Sequence, residues 1–547
     1  MGESPLQTRG ATYRTVSTAR DSKHGHVIWS RSTDSLRRLE RVFVNASVFV
    51  DFVALTMSGH GANAAQPNGH EAQQSGIEGQ QADEFLKKVA DILCAYVSSQ
   101  SDKDEPVVRL ANPDVLKQHF EEARIPLEIE DGQTATPVDS LLAGVSTALQ
   151  YSVRTGHPGF FNQLYARADA VSIAADWLAV AANTNVHTYE VAPVFTAVEV
   201  EVLSKLARCI GGQYAQSHDG LFAPGGSISN IYGMHLARNH ADPEYRTRGA
   251  FGGPHMVALT SEHAHYSYLK AAFLTGLGTE NLIKVQCNDV GQMLPEALNQ
   301  ALLLAKEQGK TPFFVGTTAG TTVLALLSPE HRHLMKGCEL SDSLAWNPHK
   351  LMGLPLQCSA FLTTHKGLLQ QSNASNASYL FQPDKLNQEY DLGDKTIQCG
   401  RRADAFKLWL AWKAYGDQGY GARVTHSADL AIHFEQKTKS SGGAFVLSHP
   451  RSFVNVCFWW VPMALRPFNP FTASEQDLAN LGKVAPRIKD AMQKAGDAMI
   501  GFQPLQGLPN FFRIVFPSAW TVSMADLDAL MTRIDGFGTK LFPALQV

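Results

Sequence analysis

The stretch Ser343-Leu344-Ala345-Trp346-Asn347-Pro348-His349-Lys350 decides how this chain is read. Its first four residues form a short apolar run ending in an aromatic, the pattern of a buried strand. The lysine stands just past the end of that strand. A lysine held there, partly desolvated and beside His349, is neutral often enough to attack a carbonyl carbon. On its own, Asn347-Pro348-His349-Lys350 reads first as a strand-ending turn with a solvated lysine. The rest of the chain separates the two.

Around it, from about Tyr189 to Ala405, short apolar runs such as Met256-Val257-Ala258-Leu259 and Pro312-Phe313-Phe314-Val315 alternate with helical stretches such as Pro295 to Glu307. Strand–helix alternation predicts an α/β domain with a mainly parallel sheet. From about 406 to 547, strands at Asn455–Trp460 and Phe511–Val515, with a helix over Ser523 to Ile534, predict a smaller C-terminal α+β domain. Before the α/β part, Phe85, Val89, Ile92, Leu93 and Tyr96 have helical spacing. Residues 58–83 are rich in Gly, Gln, Asn, Ala and Ser without apolar periodicity, the composition of disorder. The expected organisation is therefore a disordered leader (1–83), a helical arm (84–189), an α/β domain (190–405) and a small domain (406–547).

Composition narrows the function classes. The 547 residues are 44% hydrophobic and 18% charged with net charge −4, as in a soluble globular protein of two or three domains. No basic excess points to nucleic acid. The cysteines at 94, 209, 287, 338, 358, 399 and 457 form no Cys-x-x-Cys pair, so neither a zinc site nor a disulfide framework is expected, and no metal is predicted. A reducing cytosol is the expected compartment. The apolar stretch Val42 to Met57 is broken by Asn45 and Asp51 and is too short to span a bilayer. Residues 1–41, with eight Lys/Arg against four Asp/Glu, carry a weak likeness to an organelle transit peptide, while Met57-Ser58-Gly59 reads as a natural start.

Further groups carry chemistry. Ala223-Pro224-Gly225-Gly226-Ser227 precedes the helical run Ile231 to Asn239. Glycines let a backbone approach an anion, and a helix N-terminus offers free N–H groups, so this reads as a phosphate cradle. A serine-capped turn explains it as well. His265, in Glu262-His263-Ala264-His265-Tyr266, follows a strand at its carboxyl end, where ligands of open α/β sheets sit, placed to stack on a flat ring. Tyr379, after the polar run 370–378, suits a loop that delivers a proton while excluding water. Arg513, inside the apolar strand 511–515, needs an anionic partner: a substrate carboxylate or a structural acid.

Together with Gly156-His157-Pro158-Gly159-Phe160-Phe161-Asn162-Gln163, Thr188-Tyr189-Glu190-Val191-Ala192-Pro193-Val194-Phe195, Tyr379-Leu380-Phe381-Gln382-Pro383-Asp384-Lys385 and Gln398-Cys399-Gly400-Arg401, these blocks resemble, in order, the group II decarboxylases that depend on pyridoxal phosphate. The branch most similar holds glutamate decarboxylase and cysteine sulfinate decarboxylase. The resemblance implies the aspartate-aminotransferase type of fold (fold type I) and a homodimer with sites at the subunit interface. Pyridoxal 5'-phosphate would be the cofactor. It makes Lys350 the Schiff-base lysine and His265 the ring-stacking residue. Gly226, Ser227 and His349 would hold the phosphate, and Tyr379 would donate the proton. Arg513 would bind the substrate α-carboxylate, and Gln163 would face its distal acid group.

One departure stands out. Family members carry, after a segment like Gly320-Thr321-Thr322-Val323-Leu324, a helix and a strand ending in Asp-Ala-Ala-Trp, whose aspartate pairs with the cofactor's ring nitrogen. Here Leu324 runs straight into Ala325-Leu326-Leu327-Ser328-Pro329, so a helix–strand unit on the order of 30 residues is missing. Asp342 is no replacement, since relatives carry an ordinary acid there too. The expected consequences are a sheet lacking an internal strand and weakened catalysis. Substrates of the branch are acidic. Tyr165 resembles the cysteine sulfinate and aspartate enzymes, Asn183-Thr184-Asn185 the glutamate enzymes, and His187 neither. The expected reaction is decarboxylation of cysteine sulfinate or aspartate, to hypotaurine or β-alanine. The alternatives are glutamate to GABA, or an impaired chain acting as a non-catalytic dimer partner.

Overall fold

The computed structural model describes residues 77, 79–320, 322–378, 380–382, 384–505, 507–516 and 521–543. The expected leader therefore lies almost wholly outside the described residues, as do the transit-like segment 1–41 and Tyr379. The leader's end is a correction: residues 80–83 already belong to the helix Gln80–Ser99, whose first turn carries Asp83, an acid that suits a helix N-terminus.

The strands are β1 (Phe160–Phe161), β2 (Asp219–Ala223), β3 (Met256–Ser261), β4 (Leu282–Val285), β5 (Thr311–Gly316), β6 (Ser343–Trp346), β7 (Ser359–Thr363), β8 (Phe445–Leu447), β9 (Asn455–Trp460), β10 (Met499–Leu505) and β11 (Leu508–Val515). The helices that matter below are α1 (Gln80–Ser99), α2 (Ala170–Ala182), α3 (Pro193–Ile210), α4 (Gly226–Ala241), α5 (Pro295–Glu307), α6 (Asp404–Lys439, bent at Gly416), α7 (Val484–Lys494) and α8 (Met524–Leu541).

The α/β region forms two separate sheets. In one, β3 lies between β4 and β5, parallel to both. In the other, β7 lies between β2 and β6, antiparallel to each, so that β2 and β6 run the same way. Among the described residues no strand lies between β5 and β6 in the chain. Gly320 is followed by a 3-10 segment, Thr322–Leu327, that packs into the core. This is the physical result of the short connection after Leu324.

The third sheet has the order β1-β10-β11-β9-β8 and is antiparallel except where β1 joins β10. β1 comes from the stretch read as the helical arm, so His157–Phe161 is tied to the C-terminal sheet. Buried Phe458, Trp459, Trp460, Phe511 and Phe512 form its core. α8 closes this region, opening with a capping box in which Ser523 and Asp526 satisfy each other's backbone N–H groups.

Candidate active site

β6 ends because Pro348 has no N–H to continue a ladder. The chain turns there, with the Lys350 N–H donating to the Asn347 carbonyl at 3.0 Å. The lysine side chain enters a cavity of about 970 Å3, together with His265, His349, Gly226 and Ser227. Five of the expected site residues, distant in sequence, thus meet around one space.

Each is set by its surroundings. Burial lowers the Lys350 pKa, favouring the neutral amine. Among the described residues its Nζ has no hydrogen-bond or ion-pair partner. His349 is buried, and its Nδ1 lies against the main chain of Cys358, whose N–H is 3.1 Å away. Burial first, then the charges of Lys350 and Lys407, push it down to about 4, so it is uncharged at neutral pH. His265 follows β3, and its ring stacks on Tyr266 with centroids 4.4 Å apart. The Ser267 N–H donates to its Nδ1 at 3.2 Å, and the Asn230 amide holds the Ser267 hydroxyl at 2.8 Å. Nδ1 is therefore an acceptor, and burial and the Lys350 charge favour the neutral ring.

The cradle at α4 is shaped by its glycines. Gly225 has φ 94°, a conformation that suits glycine. A Cβ on Gly226 would lie 2.5 Å from Asn347 Oδ1. Asn347 is itself fixed, since Ser359 Oγ donates to its Oδ1 at 2.8 Å and Ser229 Oγ lies 2.8 Å from Ser359 Oγ. Gly226 and Ser227, at the start of α4, line the same cavity as Lys350, and a helix start there is a suitable seat for a phosphate.

Gln163 and Arg513 do not line this cavity. Arg513 pairs across β10–β11 with Gly501 and donates weakly to Gln503 Oε1 at 3.4 Å. Nearby, Lys489 of α7 donates to Asn162 Oδ1 at 2.8 Å, next to the exposed Gln163. Burial and the Arg513 charge hold the Lys489 pKa below its usual value. Arg513 has no carboxylate among its described partners, so this corner is open to an anion.

Two supports were not legible as such in the sequence. Arg401 is buried, pairs with Glu199 and donates to the Val186 carbonyl at 2.6 Å. Glu199 in turn accepts from the Phe222 N–H at 2.9 Å, steadying β2 just before the cradle. Lys407 is fully buried, 2.9 Å from Asp404 and donating to the Gln357 carbonyl at 2.7 Å. A lone lysine in the apolar run Ala405-Phe406-Lys407-Leu408-Trp409 was the available signal.

The model of the pyridoxal-dependent decarboxylase conserved domain matches residues 121–325 and 324–461. This chain belongs to that family. Its match divides at Leu324 and Ala325, where the sequence lacks the helix–strand unit. The structure of mouse CSAD is 36% identical, with a TM-score of 0.78 over 84% of this chain and 98% of that one. The structure titled Oryza sativa TDC with PLP and tryptamine is 20% identical, with a TM-score of 0.74 over 85% of this chain and 99% of that one, and shows a shared fold. The chain is thus a group II decarboxylase of the branch with glutamate and cysteine sulfinate decarboxylases. It has fold type I, and its cofactor is pyridoxal 5'-phosphate.

The residues present fit most of that cofactor. Lys350 would anchor it, the start of α4 with Ser227 would hold its phosphate, and His265 would pack on its ring. When bound, it supplies a sink for the electrons released as a bond at the amino acid's α-carbon breaks. The ring nitrogen is not provided for. Among the described residues lining the cavity, Asp342 is the only carboxylate. It stands before β6, at the end away from Lys350, with its Oδ1 2.9 Å from His365 Nε2. Among the described residues no helix is long and apolar enough to cross a membrane.

Proposed function

We propose that this chain decarboxylates a short acidic amino acid, cysteine sulfinate or aspartate, as a cytoplasmic homodimer. The observation that carries the reading is the half-buried Lys350, without a hydrogen-bond or ion-pair partner among the described residues, in one cavity with the glycine cradle of α4. Arg513, on the anion-ready corner beside Lys489, is the residue for the substrate α-carboxylate. Gln163, adjacent to it in the chain's fold, is the residue for the distal acid. Tyr379 is the proton donor. Tyr165, whose ring centroid is 6.4 Å from that of Phe160, supports the shorter substrates, as does the likeness to mouse CSAD. The homodimer is supported by α1, which buries none of its residues despite its apolar stripe, and by Trp177, Leu178 and Val180 exposed on α2.

The test is CO2 release by the purified chain with excess cofactor, offered cysteine sulfinate, aspartate and glutamate in separate reactions, beside Lys350→Ala. Release from one of the two shorter acids, lost in the variant, supports the reading; release from glutamate alone assigns the chain to GABA formation. The missing ring-nitrogen carboxylate favours a second reading, in which the chain is an impaired partner that pairs with a full-length sister chain. Absence of release from any acid, with mixed dimers forming, selects it.

A further inference from the structure

We propose that the slot between β5 and β6 is an acceptor site for an extended peptide segment of a separate chain. The segment runs parallel to both strands, presents apolar side chains along the slot and carries a carboxylate at the Lys350 end.

Both walls are edge strands. Among the described residues β5 pairs only with β3, and β6 only with β7. Their burial differs from that of the paired strands. β2 and β7 are buried throughout, whereas Val315 of β5 is 41% exposed and only Trp346 of β6 is buried. One cavity lines both strands along their length, from Pro312 and Ser343 to Gly316 and Ala345. A single helix packs on both. A Cβ on Gly233 of α4 would lie 3.6 Å from Ser343 Oγ and 3.7 Å from the Phe314 ring. α4 therefore floors the slot and holds the two sheets beside each other. An unpaired strand edge is a template for another strand, and two facing edges offer hydrogen bonds on both sides of one guest.

The direction follows from the strand ends. The residues after β5 and those after β6 come together around His265, whose N–H donates to Thr318 Oγ1 at 3.3 Å and whose ring feels the charge of Lys350. The walls thus run the same way, and a guest parallel to both continues a parallel sheet. A guest of six residues, matching β5, spans roughly 20 Å. Its chemistry follows from the lining. Phe313, Phe314, Val315, Leu344 and Phe361 make the walls apolar. The site end holds Lys350 and His265 with no described carboxylate, while Asp342 marks the opposite end. A second copy of this chain is a poor donor, because each strand named above is already paired. Strand capture stands apart from the decarboxylase reading; only the use of the captured carboxylate by the cofactor rests on that reading.

The probe is a fluorescein-labelled peptide, Lys-Lys-Thr-Val-Thr-Val-Val-Asp-Gly-Gly, added to the full chain. Fluorescence anisotropy follows binding, and hydrogen–deuterium exchange follows amides 311–316, 343–346 and, as the other open edge, 282–285. The expected result is saturable binding with exchange slowed about tenfold or more in β5 and β6 but not in β4. Replacing the peptide's Asp by Asn weakens binding about tenfold, the size of one charge-assisted hydrogen bond. Val315→Trp, which fills the slot, abolishes binding. Absence of binding, equal protection of β4, indifference to the Asp-to-Asn change, or protection that appears with rising chain concentration and no peptide would each overturn the proposal. The exchange data come from the unaltered chain, so they decide the matter even if the tryptophan variant misfolds. They involve no cofactor chemistry, so failure here leaves the decarboxylase reading standing.

Discussion

Adding one methyl group at the cradle tests how the site is built. In Gly226→Ala the new Cβ would lie 2.5 Å from Asn347 Oδ1, 2.9 Å from its Nδ2 and 3.0 Å from its Cγ. Such contacts are too short to persist, so either Asn347 or the start of α4 moves. Asn347 cannot swing away freely, because its Oδ1 holds the Ser359 hydroxyl, and Ser359 and Ser229 are both fully buried. Moving it leaves a buried hydroxyl short of a partner, at a cost of about 1–3 kcal/mol. Moving α4 instead displaces the N–H groups meant for the phosphate. Either response weakens the cofactor site by about 2 kcal/mol, or roughly 30-fold in Kd. The assay is a titration of the apo chain with pyridoxal phosphate, followed by absorbance, with parallel urea unfolding. A double-mutant cycle supplies the control. Asn347→Ala removes the atoms that clash, so Gly226→Ala in that background costs much less than in the parent, a coupling of about 1 kcal/mol or more. If Gly226→Ala binds as tightly as the parent, or loses equally with and without Asn347, the close packing of cradle and strand end is not what shapes the site.

His349 has an ordinary pKa of 6.5 that the fold lowers to about 4. Above 6.5 both folded and unfolded chains are neutral there; as pH falls below 6.5 the unfolded chain takes the proton first, so stability declines until about pH 4 by about 3 kcal/mol. Urea midpoints between pH 7 and 4 measure this, and His349→Asn flattens the profile; an unchanged slope in the variant refutes the assignment. Arg401→Met leaves Glu199 charged and buried without its partner and costs about 3–5 kcal/mol, whereas Arg401→Met with Glu199→Leu recovers most of the loss. Chemical unfolding of the three variants checks this, and equal losses refute it. Trp177→Asp on α2 shifts the proposed dimer toward monomer in sedimentation velocity while far-UV circular dichroism stays unchanged; an undisturbed dimer places the interface elsewhere.

The elements with strong local patterns were readable in advance. β3 and β5 fall on their apolar runs, α5 spans 295–307 as its spacing required, and the helix after the glycines forms around Ile231 to Asn239. The α/β class and the family also follow from order and motif, because each block carries its own residue types. Lys350, His349, His265, Gly226 and Ser227 were legible because strand ends and helix starts are local features. Arg401, Lys407 and the Asn347–Ser359–Ser229 chain were not, because their roles lie in contacts between segments up to about 200 residues apart.

The sequence by itself named Lys350, His349, His265, Gly226 and Ser227, which the fold gathers around one cavity, and showed that a helix–strand unit is missing after Leu324. Motif spacing along the chain records both. Only the tertiary structure decided what the omission does. Strand pairing is a contact between distant segments, and no local pattern states which neighbour a strand keeps. Here β5 stays with β3, β6 stays with β7, and α4 holds the two sheets on either side of the space that remains.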